Sequence, residues 1–174
     1  MRRVRILEDS EINALLTERK TLPDNWRTRL KLLPKTDSKH LQRDCEVSGA
    51  NGNTFRIVLR QSTLNVLDFS IILTLKDKDG NEFRLCRYNG KHPSEHTNRL
   101  EKSTGDENAR FRNLFHIHMA TERYQRQGFE IDGFAEVTKT YSSFDTALEE
   151  FLRANGFMIP EEHLPLFDGP GGSK

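Results

Sequence analysis

The chain predicts a single α+β domain, built on an antiparallel, curved sheet of five or six strands. An N-terminal and a C-terminal helix pack on one face of that sheet. Three observations carry this expectation. From about residue 41 apolar residues recur with a period of two through several successive stretches. Glycine-, asparagine- and aspartate-rich turns separate those stretches. A well-marked amphipathic helix pattern follows them near the end.

The elements follow in order. Asp9 or Ser10 caps a helix carrying Ile12, Leu15 and Leu16, which ends before Pro23. Residues 25–33 mix Trp26 and leucines with Arg27, Arg29 and Lys31 and read as extended or irregular. Residues 41–47 form a strand, and Gly49-Ala50-Asn51-Gly52-Asn53 turns the chain. In residues 54–61, Phe55, Ile57 and Leu59 alternate with Arg56, Val58 and Arg60, as in a strand with one wet face. The most apolar run, residues 66–76, reads as a central strand. Asp77-Lys78-Asp79-Gly80 then makes a hairpin into residues 82–88.

His92-Pro93-Ser94-Glu95 reads as the start of a short helix reaching about residue 102. Residues 103–110 form a polar loop, 113–120 a strand, 121–127 a helical turn, and 133–141 a further strand. Ser142 and Asp145 have capping-box spacing before a helix whose face is Phe144, Ala147, Leu148, Phe151 and Leu152. Asn155-Gly156 stops it. One domain thus spans residues 1–167, with a helical or irregular segment over 1–40 and the sheet plus last helix over 41–156. Residues 168–174 read as a flexible tail.

Bulk composition narrows the function classes. The 174 residues are 34% hydrophobic and 30% charged, with a net charge of +1 and a pI near 7.8. The whole chain is therefore no polybasic nucleic-acid binder, and an anion site has to come from local clustering. Cys45 and Cys86 show no CxxC spacing, which favours a reduced, cytoplasmic protein. No apolar run approaches the ~18 residues a membrane span requires. No GxGxxG or GxxxxGK marks a nucleotide site.

Four of the six histidines fall between Arg87 and Gly128, in two pairs. His92 and His96, four apart, would stack on one side of a helical turn. His116 and His118, two apart, would share one face of a strand while Phe115, Ile117 and Met119 face the core. Imidazole titrates near neutrality and binds metals readily, so paired histidines among cations read as a site.

Three chemistries fit. In metal-free RNA cleavage, His116 and His118 are base and acid for attack of a ribose 2′-hydroxyl on its phosphate. Arg123 joins them as a catalytic cation, Arg87 and Lys91 bind phosphate, and Tyr88 or Tyr124 positions or stacks on a base. His92, His96 and Asn98 shape the site. In the second chemistry, His92, His96, His116 and His118 hold a metal, although neither HxxxH nor HxH is a strong metal signature. In the third, the histidines are ordinary residues of a half-wet strand and a helix cap.

A resemblance adds to this. Residues 69–157 carry Arg87-Tyr88-Asn89-Gly90, the His92/His96 pair with Asn98, Phe115-His116-Ile117-His118 and Ala120-Thr121-Glu122-Arg123-Tyr124. Together these resemble an uncharacterised bacterial and archaeal family. The order of a strand ending in Arg-Tyr followed by histidines is also similar to the TumE-type toxins of toxin–antitoxin modules, with Asn89 where those have Asp. The resemblance implies a shared α+β fold, RNA as target and a cognate antitoxin as partner. The leading expectation is thus a small cytosolic toxin or defence protein acting on RNA, a ribonuclease without metal or other cofactor, with a homodimer as a further expectation and no membrane partner. The alternatives are a non-enzymatic module binding protein or nucleic acid through Arg56 and Arg60, from a mobile-element or defence locus, and a His-rich metal-binding protein.

Overall fold

The fold is taken from a computed structural model, which describes residues 5–160. The flexible tail expected at 168–174 lies outside the described residues. In chain order the elements are α1 (Asp9–Thr17), β1 (Lys20–Thr21), α2 (Trp26–Arg29), β2 (Leu33–Pro34), β3 (His40–Ser48), β4 (Thr54–Ser62), β5 (Phe69–Lys76) and β6 (Glu82–Asn89). Then come β7 (Glu95–Thr97), α3 (Arg99–Ser103), a 3-10 turn (Glu107–Ala109), β8 (Arg110–Arg112), β9 (His116–Met119), α4 (Glu122–Arg126), β10 (Phe134–Val137), α5 (Phe144–Ala154) and β11 (Phe157–Met158).

The centre is an open seven-stranded antiparallel sheet in the order β10-β9-β6-β5-β4-β3-β2. This α+β architecture is the one the alternating pattern predicts; the seventh strand is the two-residue edge piece β2. Phe55, Ile57, Leu59, Phe69, Ile71 and Leu73 point to one face and are almost wholly buried. Ile12 and Leu15 of α1 and Ala147, Phe151 and Leu152 of α5 join the same core. Both helices cover one face, which leaves the opposite face for polar chemistry.

Two details position the site. The first is a β-bulge in β6: Leu73 pairs with Cys86, but Thr74 pairs with Arg84, so Leu85 is an extra residue. A one-residue insertion flips every later side chain to the other face. Cys86 and Tyr88 therefore enter the core, while Arg87 and Asn89 point to the face opposite the helices. The second is the excursion between β6 and β9. Here the predicted helix over 92–102 is replaced by β7, whose Glu95, His96 and Thr97 pair with Arg112, Phe111 and Arg110 of β8. The helix is confined to Arg99–Ser103. His92 therefore caps nothing, and the i to i+4 stacking of His92 and His96 does not exist. The pairing partner, Arg110–Arg112, starts at the last residue of the expected polar loop, and no local period signals it.

Smaller departures are local: the strand expected over residues 133–141 is confined to Phe134–Val137. Residues 25–33 include the single helical turn of α2. The capping box of α5 is Ser143 with Thr146, one residue later than the predicted Ser142 with Asp145.

Buried Lys20 ties the helix ends together. Its ammonium donates to the carbonyls of Leu15 (2.8 Å), Leu16 (3.1 Å), Glu18 (2.9 Å) and Asn155 (2.8 Å). It also lies 4.4 Å from the ring centre of Phe55. A cation at the C-termini of α1 and α5 satisfies carbonyls that have no helical partner. Burial pulls its pKa down to about 8.

Candidate functional site

The site is a histidine cluster on the polar face. β6 and β9 are neighbours in the sheet, and their register puts Arg87 opposite His118 and Asn89 opposite His116. The β7–β8 ribbon folds over them and brings His96 down from above. Ring centroids are 4.7 Å apart for His96 and His118, 5.9 Å for His96 and His116, 5.1 Å for His116 and His118, and 5.9 Å for His92 and His116. Phe111 of β8 packs against His96 at 4.9 Å and His116 at 5.0 Å. The two sequence pairs therefore converge in space.

Each ring has a defined hydrogen-bond role. His116 Nδ1 donates to the Leu114 carbonyl (2.7 Å), and its Nε2 accepts from the Asn89 amide (3.1 Å). The hydroxyl of Ser70 donates to Asn89 Oδ1 (2.9 Å), which aims the amide nitrogen at the ring. His116 is thus a neutral imidazole with both nitrogens engaged. Burial drives its pKa down to about 4.

His118 Nδ1 donates to the carbonyl of Asp132 (2.8 Å). Arg87 Nη2 lies 3.2 Å from Nδ1 and 3.4 Å from Nε2 of the same ring. The two in-plane nitrogen directions diverge, so a donor nearly equidistant from both lies over the ring face. The Nε2 lone pair of His118 is left without an in-plane partner. Burial, followed by the Arg87 charge, pushes this imidazole down to about 2.

His96 Nε2 donates to Asn98 Oδ1 (2.8 Å), which leaves Nδ1 as its free lone pair. Its pKa is also lowered, by burial first and then by Arg87. Asn98 itself is buried. Its amide donates to the Ala135 carbonyl (2.7 Å) and its Oδ1 accepts from Ala135 N–H (2.8 Å), completing the free edge of β10 as a strand would. This contact fastens the ribbon to the sheet and sets the height of His96 above His118.

His96 and His118 open into a cleft of about 670 Å3, which Arg84, Arg87, Arg99, Phe129 and Asp132 also line. Asp132 is 1% exposed. Its carboxylate oxygens lie 3.4 Å from Arg84 Nε and 3.4 Å from Arg87 Nε. Among the described residues, neither oxygen finds a hydrogen-bond partner, nor does Arg87 Nε. Arg84 also pairs with Glu130 on the surface.

Other residues singled out in the sequence lie elsewhere. Tyr88 follows Arg87 in a strand and so points the other way, into the core, where it stacks on Tyr141 at 5.8 Å and meets Phe151 edge-on. Lys91 sits 5.2 Å over the ring of Phe115, a core-packed residue. Tyr124 is 1% exposed and donates to Glu101 Oε2 (2.7 Å). Its ring borders the cleft but presents no face for stacking a base. Arg123 is paired with the same Glu101 and lies over Phe134 and Tyr124, away from the histidines. His92 stays beside His116, but its Nδ1 is engaged by Asp68 Oδ1 (2.5 Å) and it does not line the cleft.

The reverse omissions are Asp132, Phe111, Ser70 and Arg99. Nothing local marks Asp132 in Ile131-Asp132-Gly133, because its role arises only where the turn before β10 returns to β6. Among the described residues, no group of three or more His, Cys, Asp or Glu side chains is placed to hold a metal ion. Nor is any helix among them long and apolar enough to cross a membrane. Comparison with models of known protein families, with curated proteins and with solved structures gives no match.

Proposed function

We propose that the His96–His118 cleft binds a phosphate of an RNA chain and promotes its cleavage by the 2′-hydroxyl, without a metal. The observation that carries this reading is the juxtaposition of two imidazoles, each with one free lone pair, beside the guanidinium of Arg87 in one cleft. His118 Nε2 accepts the 2′-hydroxyl proton as the O2′–P bond forms. The P–O5′ bond breaks, and the leaving oxygen takes a proton from His96. Arg87 and Arg99 balance the charge that grows on the phosphoryl oxygens. The imidazoles are neutral in the empty cleft. A bound phosphate opposes the charge of Arg87 and raises both pKa values. His96, whose Nε2–H is held by Asn98, is then the ring that carries the extra proton.

The reading keeps His118 from the expected base–acid pair and replaces His116 with His96. It retains the toxin or defence role, with RNA as target and a cognate antitoxin as partner. Expression of the wild type and of a His96→Ala/His118→Ala variant tests it: growth arrest with degraded RNA is expected only from the wild type. Equal growth and equally intact RNA in both, at equal protein levels, would overturn it.

One observation favours a second reading, a module that binds without chemistry. His118 is 4% exposed with the Arg87 guanidinium against its ring, and both hold it in the neutral form, which suits a hydrogen-bond acceptor. Tight RNA binding with no cleavage product would decide for it. Arg56 does not support the wet-face version, since it is already paired with Asp44 and Glu82.

A further inference from the structure

Asp132 is the feature of the cleft that the proposed chemistry leaves without a role. The lining charges balance: Arg84, Arg87 and Arg99 against Glu95, Glu130 and Asp132. Glu130 is largely solvated, with 75% of its side chain exposed, whereas that of Asp132 is 1% exposed. Buried side-chain oxygens ordinarily have at least one hydrogen-bond partner. Those of Asp132 have none among the described residues, although two guanidinium Nε groups stand 3.4 Å away, one beside each oxygen. The arginines are neutralised and held in direction, yet not saturated.

Residue 132 also acts through its backbone. Its carbonyl fixes the His118 tautomer that frees Nε2, and its carboxylate faces the arginine lying over that same ring. One residue thus orients both the imidazole and the cation.

Building on the cleft reading above, we infer that Asp132 is a positioning residue and an internal counter-anion. It stands in for the ligand phosphate on Arg84 and Arg87 while the cleft is empty, and it weakens phosphate binding in exchange for a fixed Arg87. An incoming phosphate takes the outward N–H edges of the arginines and shares their charge with Asp132. Removing the carboxylate charge therefore has two effects of opposite sign. Phosphate binds more tightly, because its competitor is gone. RNA cleavage slows, because Arg87 is no longer held over His118.

The test is calorimetric titration of inorganic phosphate into the wild type, Asp132→Asn and Asp132→Glu, with RNA cleavage measured on the same proteins. The expected result for Asp132→Asn is phosphate binding about tenfold tighter and cleavage at least tenfold slower, with Asp132→Glu restoring wild-type affinity. A residue that merely supports the fold would lower both. Phosphate binding by a folded Asp132→Asn protein that is equal to or weaker than wild type overturns the inference and leaves the cleft reading standing. A wild type and variant that both ignore phosphate overturn the cleft reading and this inference with it. Should Asp132→Asn not fold, the wild type alone decides. The Nε–H resonances of Arg84 and Arg87 must shift together as phosphate is added, and movement of only one contradicts a shared counter-anion.

Discussion

The imidazole of His96 meets that of His118 edge to face, with centroids 4.7 Å apart and ring planes at 84°. The two rings belong to different sheets. His118 stands on β9 of the main sheet, and His96 hangs from the β7–β8 ribbon above it. Their contact depends on the Asn98 amide, which ties the ribbon to the backbone of Ala135. Replacing Asn98 with Ala should cost about 1–3 kcal/mol, as a buried N–H and C=O of Ala135 lose their partners. It should also loosen His96 relative to His118. Thermal melts measure the first effect, and imidazole NMR line widths the second. An unchanged melting temperature would show that the ribbon is held by other contacts.

Acid should unfold the protein early. His116 is depressed to about 4 and His118 to about 2, against an ordinary value near 6.5. A depressed pKa means that the unfolded chain takes up protons first. The stabilisation is complete above pH 6.5 and is lost as pH falls, down to about 4 for His116 and about 2 for His118. At pH 5 the loss is roughly 2–4 kcal/mol in total for the two rings. Denaturant melts at pH 7.5 and pH 5 check this, and His118→Asn should flatten the difference. A stability independent of pH across that interval would mean that the rings are already solvated.

How much of this was legible in the sequence depends on the range of the contacts. The period-two runs identify β3, β4 and β5, because each strand buries one face and shows it locally. His116 and His118 share a face for the same reason. The helix expected at His92 fails because β7 is held by a non-local partner, β8, which starts at the last residue of the expected loop. The grouping of Tyr88 with Arg87 fails on elementary strand geometry, since neighbours in a strand point to opposite faces. Which of the two reaches the histidines is set by the bulge at Leu85, a register shift that alternation does not reveal. Asp132 is silent in sequence because its partners, Arg84, Arg87 and His118, come from two other strands.

The relay from Ser70 through Asn89 to His116 should be structural. Asn89→Leu removes the donor to His116 Nε2 and leaves the Ser70 hydroxyl without its acceptor. A destabilisation of about 1–3 kcal/mol is expected from such a broken buried chain. His116→Asn should likewise reduce stability more than it reduces cleavage per folded molecule. Cleavage abolished in a protein of wild-type stability would return His116 to the catalytic pair.

Lys20→Met should destabilise the fold by about 3 kcal/mol or more, because four carbonyls at the ends of α1 and α5 lose a shared cation. Lys20 lies on the core side of the sheet, against Phe55, so phosphate binding by the remaining folded protein should be unaltered. Chemical denaturation and phosphate titration on the same sample separate the two. A marked loss of phosphate affinity would show that the core side communicates with the cleft.

The most direct measurement is of the ends left on RNA by the purified protein in excess EDTA. Attack by the 2′-hydroxyl between His96 and His118 predicts 2′,3′-cyclic phosphate and 5′-hydroxyl ends, with no cleavage of a strand carrying a single 2′-deoxy substitution at the scissile position. Cleavage that stops in EDTA, products bearing 5′-phosphate, or full activity in a folded His96→Ala/His118→Ala protein would contradict it.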